Sequence, residues 1–367
     1  MAIPGFSRAL IIALVAAPLA APLTPPLELS AQASLPSVPP PGAASSSRSI
    51  KLDVVVNAKS GDPVTNLGRQ DFTILVNKSP RPITSFRVLT PHEEPVKVII
   101  FIDAVNTPYE LVAAVRNATE KFLKSNGGAL PHPTSIAVLT ESGVQLQNDF
   151  STDGMVISDD LEHRQIGLHL ISKASQYSDS DRLKICLSAL HQLAVFASSL
   201  PGRKIIVWIS PGFPLVSGPA YGSLTPKAEE EIFGDVTYFS LALRQNNITL
   251  YDVNPIGTSE SMFNANYYQT FVKGVAHPDD SQLADLSIQV LSAQTGGLNL
   301  ESNNDIPSQI AKCLLDADSW YEITFDPPSA DKPGEYHHIE VKLAQPGLVA
   351  RTRTGYYSNP FAIEPAH

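Results

Sequence analysis

Two cysteines in 367 residues are too few for a disulfide-dense scaffold or a multi-cysteine zinc module, both of which need several sulfurs at short spacing. Bases are also scarce. Twenty-six Lys and Arg against 36 Asp and Glu give a net charge of −10, the wrong sign for a protein whose affinity rests on neutralising phosphates. The sequence therefore argues against nucleic-acid binding. It lacks a Gly-x-Ser-x-Gly elbow, a P-loop, a Gly-x-Gly-x-x-Gly after a strand and a His-Glu-x-x-His, so no enzyme motif is present to read. Long apolar runs are missing as well: Ala9 to Ala21 is the longest, broken by Pro18 and too short to cross a hydrocarbon core of about 30 Å. What the chain does have is 43% apolar residues, enough for one large core or two smaller ones.

The apolar run follows Arg8 and precedes Ala31-Gln32-Ala33, a small-x-small pattern, so residues 1–33 read as a signal peptide cleaved after Ala33. An uncleaved anchor or a plain tail are the alternatives. Export to the periplasm or the extracellular space follows, with no transmembrane span in the mature chain. Cleavage removes Arg8 and Glu28 together, leaving the acidity with the folded part. Pro, Ser, Ala and Gly dominate residues 34–48, a linker on which no fold should be forced. An oxidising compartment would permit Cys186 and Cys313 to pair, yet each lies on the apolar stripe of a helical segment and reads as a buried free thiol.

Folded sequence begins near Ser49. Ile50, Leu52, Val54 and Val56 alternate with Lys51, Asp53 and Asn57, and with Phe72 to Val76 and Ile83 to Leu89 they predict a β segment over 49–90. From Val96 the rhythm changes. Strands at Val96 to Ile102, Ile136 to Leu139, Lys204 to Ile209, Ile248 to Val253 and Leu298 to Leu300 alternate with helices at Leu111 to Leu123, Asp181 to Leu200, Glu229 to Leu243 and Gln282 to Gln294. A final helix runs from Ile306 to Leu315. This alternation predicts a doubly wound α/β domain over 95–317. Tyr321 to Phe325, His338 to Leu343 and Val349 to Tyr356 return to strands over 318–358, before a tail at 359–367. Neither β segment can bury enough alone, so the two are expected to form one sandwich with the α/β domain inserted between them.

Several residues have plain readings. His191 flanks an amphipathic helix as a half-buried imidazole, and His337-His338 point to opposite faces of a strand and cannot both ligate one metal. Glu229-Glu230-Glu231 suits a helix first turn. Arg351 and Arg353 share a strand face, either guarding an edge or open to an acidic partner.

An apolar strand ending in Asp103, the stretch from Arg203 through Ser210-Pro211-Gly212-Phe213-Pro214, Asp71-Phe72-Thr73 within Gly61 to Phe86, and Gly334-Glu335-Tyr336-His337-His338-Ile339 with Gly355-Tyr356-Tyr357 form one pattern. Together they resemble the von Willebrand factor A-related proteins of acidobacterial type, over nearly the whole mature chain. These are exported proteins without an assigned chemistry. The resemblance implies a Rossmann-like A domain, doubly wound and mostly parallel, inserted in or flanked by a small β-sandwich, with its ligand site at the carboxyl ends of the strands.

In A domains that bind through Mg²⁺, a metal-ion-dependent adhesion site takes Asp-x-Ser-x-Ser from the first loop, a Thr from a second and an Asp from a third. Here the first loop is Asp103-Ala104-Val105-Asn106-Thr107: Asp103 and Thr107 match, whereas Val105 supplies no side-chain oxygen. The third loop reads Ser210-Pro211-Gly212, without the carboxylate, and the second corresponds to Ser175 to Ser180 in an unclear register. A site so depleted holds Mg²⁺ weakly. Two readings stay open: Asp103 caps the helix that starts near Pro108, or a rearranged site draws on Asp103, Asn106, Thr107, Asp179 and Asp252 for Mg²⁺.

The functional expectation is a non-enzymatic binding or scaffolding protein. It would hold a protein partner of the cell envelope on a strand-end face that includes Ser210, Pro211, Gly212 and Phe213, with no cofactor required. The alternatives are a hydrolase or other enzyme with an unrecognised site, and a purely structural envelope protein.

Overall fold

Eight residues from Val96 to Asp103, all but Lys97 buried, form the strand on which the molecule is centred. The computed structural model describes residues 49–147, 149–163, 179–214, 224–256, 267–300, 304–328 and 334–358. The signal-peptide and linker readings, the tail and most of the proposed second loop fall outside these residues.

The first strands are β1 (Ile50–Ala58), β2 (Phe72–Val76), β3 (Ser79–Arg81) and β4 (Ile83–Leu89). The α/β part then runs β5 (Val96–Asp103), α1 (Tyr109–Leu123), β6 (Ala129–Thr140), β7 (Gly143–Leu146), β8 (Ser151–Asp153) and α2 (Gly154–His163). It continues through α3 (Asp179–Ser198), β9 (Arg203–Ile209), α4 (Pro226–Gln245), β10 (Ile248–Val253), α5 (Ile288–Thr295), β11 (Asn299–Leu300) and α6 (Ile306–Leu314). The chain closes with β12 (Trp320–Phe325), β13 (Tyr336–Leu343), β14 (Leu348–Arg351) and β15 (Gly355–Tyr357).

The fold is mixed α/β: one parallel-rich sheet and two antiparallel ones. In the large sheet the order is β11-β10-β9-β5-β6-β7, with β8 also on β6, and only β7 and β8 run antiparallel. Numbered along the chain, those six strands lie in the order 3-2-1-4-5-6 of a doubly wound sheet, whose order reverses between β5 and β9. Side chains alternate across it. Val98, Ile100 and Ile102 of β5 pack with α1, α2 and α6 on one face, while Ile99 and Phe101 pack with α3, α4 and α5 on the other.

The terminal strands pair with each other. Antiparallel β1 joins β12, from Ile50 opposite Phe325 to Val54 opposite Tyr321, and further along joins β14. The resulting sheets, β14-β1-β12-β4 and β15-β13-β2-β3, enclose a core that includes Leu52, Val54, Phe72, Ile74, Tyr321, Ile323 and Phe325.

The structure departs from three sequence expectations. Val349 to Tyr356 is not one strand but two, β14 and β15, which belong to different sheets. Its alternation continues across Thr352-Arg353-Thr354, but the backbone there is drawn off to other elements, with the Thr354 amide bonded to the Gln294 carbonyl at 3.1 Å. Arg351 and Arg353 accordingly share no strand face: Arg351 pairs with Asp316 at 2.5 Å and Arg353 is buried. The span Gln282 to Gln294 is likewise two pieces, a 3-10 turn at Leu283–Leu286 and then α5, which Ser287 caps by accepting from the Val290 amide at 3.4 Å.

Candidate functional site

The carboxyl ends of β5 and β9 form the point where strand order reverses, and the loop after each carries the residues singled out from the sequence. Asp103, the last residue of β5, is wholly buried. Its Oδ1 accepts the amides of Val105 at 3.0 Å and Asn106 at 2.9 Å, which folds the first loop back on itself. Its Oδ2 accepts the Asn106 side-chain amide at 2.8 Å, the Ser210 hydroxyl at 2.9 Å and the Trp208 indole N–H at 3.3 Å. One carboxylate thus ties the loop after β5 to the end of β9.

This geometry corrects the capping assignment. Helix α1 starts at Tyr109 with Pro108 as its N-cap and no side-chain cap, so Asp103 caps the turn at Val105 and Asn106 instead.

The residues present do not fit Mg²⁺. An ionised carboxylate has about four lone-pair positions, and Asp103 already meets five donors. Val105 offers no side-chain oxygen, Ser210 spends its proton on Asp103, and Pro211 stands where the third-loop carboxylate is expected. The other acids lie apart. Asp252 is buried on β10, opposite Trp208 on β9 and so in line with Phe101 on β5, two strand spacings, about 10 Å, across and two residues short of Asp103. Asp179 opens α3 and forms an ion pair with Arg182. Among the described residues no group of three or more His, Cys, Asp or Glu is placed to hold a metal ion.

Two further atoms matter here. Asn106 Oδ1 and Thr107 Oγ1 are buried with no hydrogen-bond partner among the described residues. The Asn106 amide nitrogen also reaches Cys186 Sγ at 3.0 Å. Both cysteines are buried and free, and burial first, with the charge of Asp103 second, holds the Cys186 thiol well above its ordinary value.

Of the four residues proposed for the ligand face, two point inward. Ser210 is wholly buried on Asp103, and Phe213 packs edge-on to Trp208 with ring centres 5.3 Å apart. Pro211 and Gly212 remain partly exposed. Gly212 has φ +113°, a conformation that favours glycine, and a Cβ there would meet the Gln289 side-chain amide. Sequence reasoning missed Tyr109, which is 51% exposed at the start of α1, directly after the Asp103 loop. An aromatic placed just past the first loop was the available signal. It also missed Trp208 as a donor to Asp103, for which position on an apolar strand gives no sign.

Elsewhere, His191 Nδ1 and the Tyr238 hydroxyl lie 2.6 Å apart on an exposed helix surface. His337 is buried and stacks on Tyr356 with ring centres 5.0 Å apart. No helix among the described residues is long and apolar enough to cross a membrane.

No family model matches the chain, and no curated protein matches it. Solved structures similar to it include the human COPII-coat protein Sec24c, 9% identical over 72% of this chain and 44% of that one, with a TM-score of 0.32. A point mutant of the PilB minor pilin from Streptococcus sanguinis is 11% identical over 60% of each chain, with a TM-score of 0.32. Manganese-loaded TRAP protein from Plasmodium vivax is 9% identical over 75% of this chain and 97% of that one, with a TM-score of 0.31. The chain thus spans less than two thirds of the first two. The likeness is shallow in each case, and what bears on function is the geometry of the chain itself.

Proposed function

We propose that the chain is an exported, non-enzymatic binding protein. Its α/β part is a von Willebrand factor A-like domain that holds a protein partner of the cell envelope without a metal ion. Support for the domain comes from the 3-2-1-4-5-6 strand order together with an aspartate and a threonine at the expected places in the first loop.

The observation that carries the binding role is the Asp103 hub. Its hydrogen bonds fix the Asp103–Thr107 loop and the start of the Ser210–Phe213 loop against each other, at the edge where doubly wound sheets receive ligands. A surface so fixed loses little entropy on binding. Beside it stand Tyr109 and Pro211, and an exposed tyrosine on a rigid support is a good anchor for a protein contact.

The test is capture of envelope proteins on the immobilised mature chain, with and without chelator. Expected is a specific partner that survives chelator and is lost with Tyr109→Ala, a surface change that leaves the fold intact. A partner retained by Tyr109→Ala and by Pro211→Glu together refutes this face, and a partner released by chelator refutes metal independence.

A further inference from the structure

The hairpin of β2 and β3 turns at Asn77-Lys78, both at positive φ, and sets Arg81 directly opposite Ile74. Opposite residues on paired strands share a face, so Arg81 starts from the face on which Ile74 is wholly buried in the sandwich core. Pro80 and Pro82 flank Arg81 and stiffen the backbone there. Past Arg81 the chain leaves its sheet for β4 in the other one. Strand β3 therefore has nothing opposite Phe72 and Thr73, which on their other side pair with Leu343 and Lys342 of β13. At this early exit the edge of the sandwich holds an open notch of about 420 Å³, lined by Arg69, Gln70, Phe72, Thr73, Arg81 and Ile83.

The notch is basic on its walls and apolar on its floor. Arg69, in the 3-10 turn before β2, reaches across to the other sheet, where its Nη2 donates to the Ile83 carbonyl. It is exposed and enters no ion pair among the described residues. Arg81 is half-buried, its Nε is shut away with no acceptor, and it too enters no ion pair among the described residues. Asp71, two residues beyond Arg69, is turned elsewhere: its Oδ2 accepts the Gly68 amide at 2.8 Å and its Oδ1 faces the Gln345 side-chain nitrogen at 3.5 Å. Among the described residues no acid lines the notch. Phe72 and Ile83 are buried, and the Phe72 ring is held by Phe86 and Tyr321, with ring centres 5.4 and 4.9 Å away, so the floor is firm. Gln70 and Thr73 form an exposed polar rim. A charge that only guards a strand edge rests in water, where its donors are all satisfied. A guanidinium N–H kept from both water and acceptor costs free energy that an anion seated in the notch would return.

We propose that this notch binds a carboxylate carried on a small apolar body, with Arg69 and Arg81 on the carboxylate and Phe72 and Ile83 beneath the body. Guanidinium forks match a planar carboxylate, and the volume and mixed lining are those of a small-ligand site. A tetrahedral oxyanion would want donors on every side, and a floor of phenyl ring and isoleucine supplies none. The carboxylate belongs either to a free acid or to the C-terminus of a peptide that ends in an apolar residue. The notch is built from sandwich residues and does not rest on the Asp103 face.

Isothermal titration calorimetry on the mature chain tests this with phenylpropionate, its uncharged amide, phenyl phosphate, and a short peptide ending in phenylalanine with a free or an amidated C-terminus. A carboxylate probe should bind saturably, at one site per chain, and about tenfold or more tighter than its amide. Arg81→Gln should weaken that binding about tenfold or more. Gln70→Glu, an isosteric change on the exposed rim that sets a like charge against the ligand, should weaken it about fivefold and keeps the test standing where Arg81→Gln disturbs the fold. No saturable binding of either carboxylate probe, or equal affinity in wild type and both variants, overturns the site. Phenyl phosphate bound as tightly as the carboxylate overturns the choice of ligand class. Binding of the free-carboxyl peptide, lost on amidation, upholds the site and assigns it to a chain terminus; binding of phenylpropionate alone upholds it and assigns it to a small acid.

Discussion

At the scale of single residues, Asp103 shows how one carboxylate can serve folding so fully that little is left for coordination. Removing it in Asp103→Ala strands donors from two loops in a buried place, and the expected loss is about 3–5 kcal/mol in urea unfolding. The wild-type melting temperature should be the same in Mg²⁺ and in chelator; a rise with Mg²⁺ that Asp103→Ala abolishes would show that the donors give way to the ion. Asp285 makes the opposite case, a carboxyl whose ionisation costs stability. Burial lifts it from 3.8 to about 6, against the bond that its Oδ2 accepts from the Gln282 amide. The folded chain therefore holds this proton more tightly than the unfolded chain. Its contribution is greatest below about pH 4, falls as pH rises to about 6, and is flat above. Asp285→Asn keeps the acceptor and removes the titration, so the stability difference between wild type and variant should change across about pH 4 to 6 and be flat on either side. Urea midpoints at half-unit pH steps would measure it.

At the scale of elements, the start of β15 is packed closely enough at Gly355 to leave no room for a side chain. A Cβ there would lie 2.3 Å from the Tyr336 hydroxyl and 2.7 Å from the His337 carbonyl, so Gly355→Ala should force Tyr336 outward and cost about 2–3 kcal/mol. Loss of near-ultraviolet circular dichroism from the Tyr336 and Tyr357 pair, whose rings lie 5.0 Å apart, should accompany it. Full dichroism and unchanged stability would mean that β15 has room for the added methyl group. What could be read from the sequence follows the same division. The run Val96 to Ile102 announced a strand buried on both faces because seven consecutive residues, Lys97 aside, are apolar, and Phe72 to Val76 and Ile83 to Leu89 fall on β2 and β4 residue for residue. Helix α2 and the short strands β7 and β8 went unread, since each is brief and partly polar and owes its form to β6 and α1 beside it. The switch from β14 to β15 was hidden for another reason: alternation is a local signal, whereas Gln294, Gly296 and Asp53, which capture the crossover, lie far away in the chain. The site was legible to the same degree. Asp103 and Thr107 stood out by type and spacing, but whether the carboxylate faces a cation or a ring of donors depends on Trp208 and Ser210, a hundred residues on.

At the scale of the whole molecule, the sandwich and the α/β part share a layer and should unfold together. The sheet β14-β1-β12-β4 turns Leu52, Val54, Tyr321 and Ile323 to the sandwich core, while Val55, Leu89 and Trp320 face the other way into the core under β5 and β9. A polar knot sits in the same seam. Asp316 accepts Arg351 at 2.5 Å and the Tyr251 hydroxyl at 2.6 Å through Oδ2, and its carbonyl accepts Arg203 at 2.7 Å. Arg203 in turn lies over the Trp320 ring at 5.0 Å. Because β1 pairs with β12 and β14, from the far end of the chain, the sandwich depends on contacts of long range, which make for slow folding. The chain's two tryptophans divide conveniently, Trp208 in the large sheet and Trp320 in the sandwich sheet. Fluorescence of Trp208→Phe therefore reports on the seam at Trp320, and that of Trp320→Phe on the inside of the large sheet at Trp208. Within each variant the fluorescence midpoint in urea should match that from far-ultraviolet circular dichroism, which follows both parts together. Asp316→Ala, which leaves Arg203 and Arg351 buried with less charge to meet, should lower both midpoints equally, by an amount worth about 3–5 kcal/mol. They should stay coincident, because Val55, Leu89 and Trp320 still bind the two parts through apolar contact. If the midpoints separate in either background, the shared sheet does not couple the parts, and the sandwich is an independent unit despite the core it lends to its neighbour.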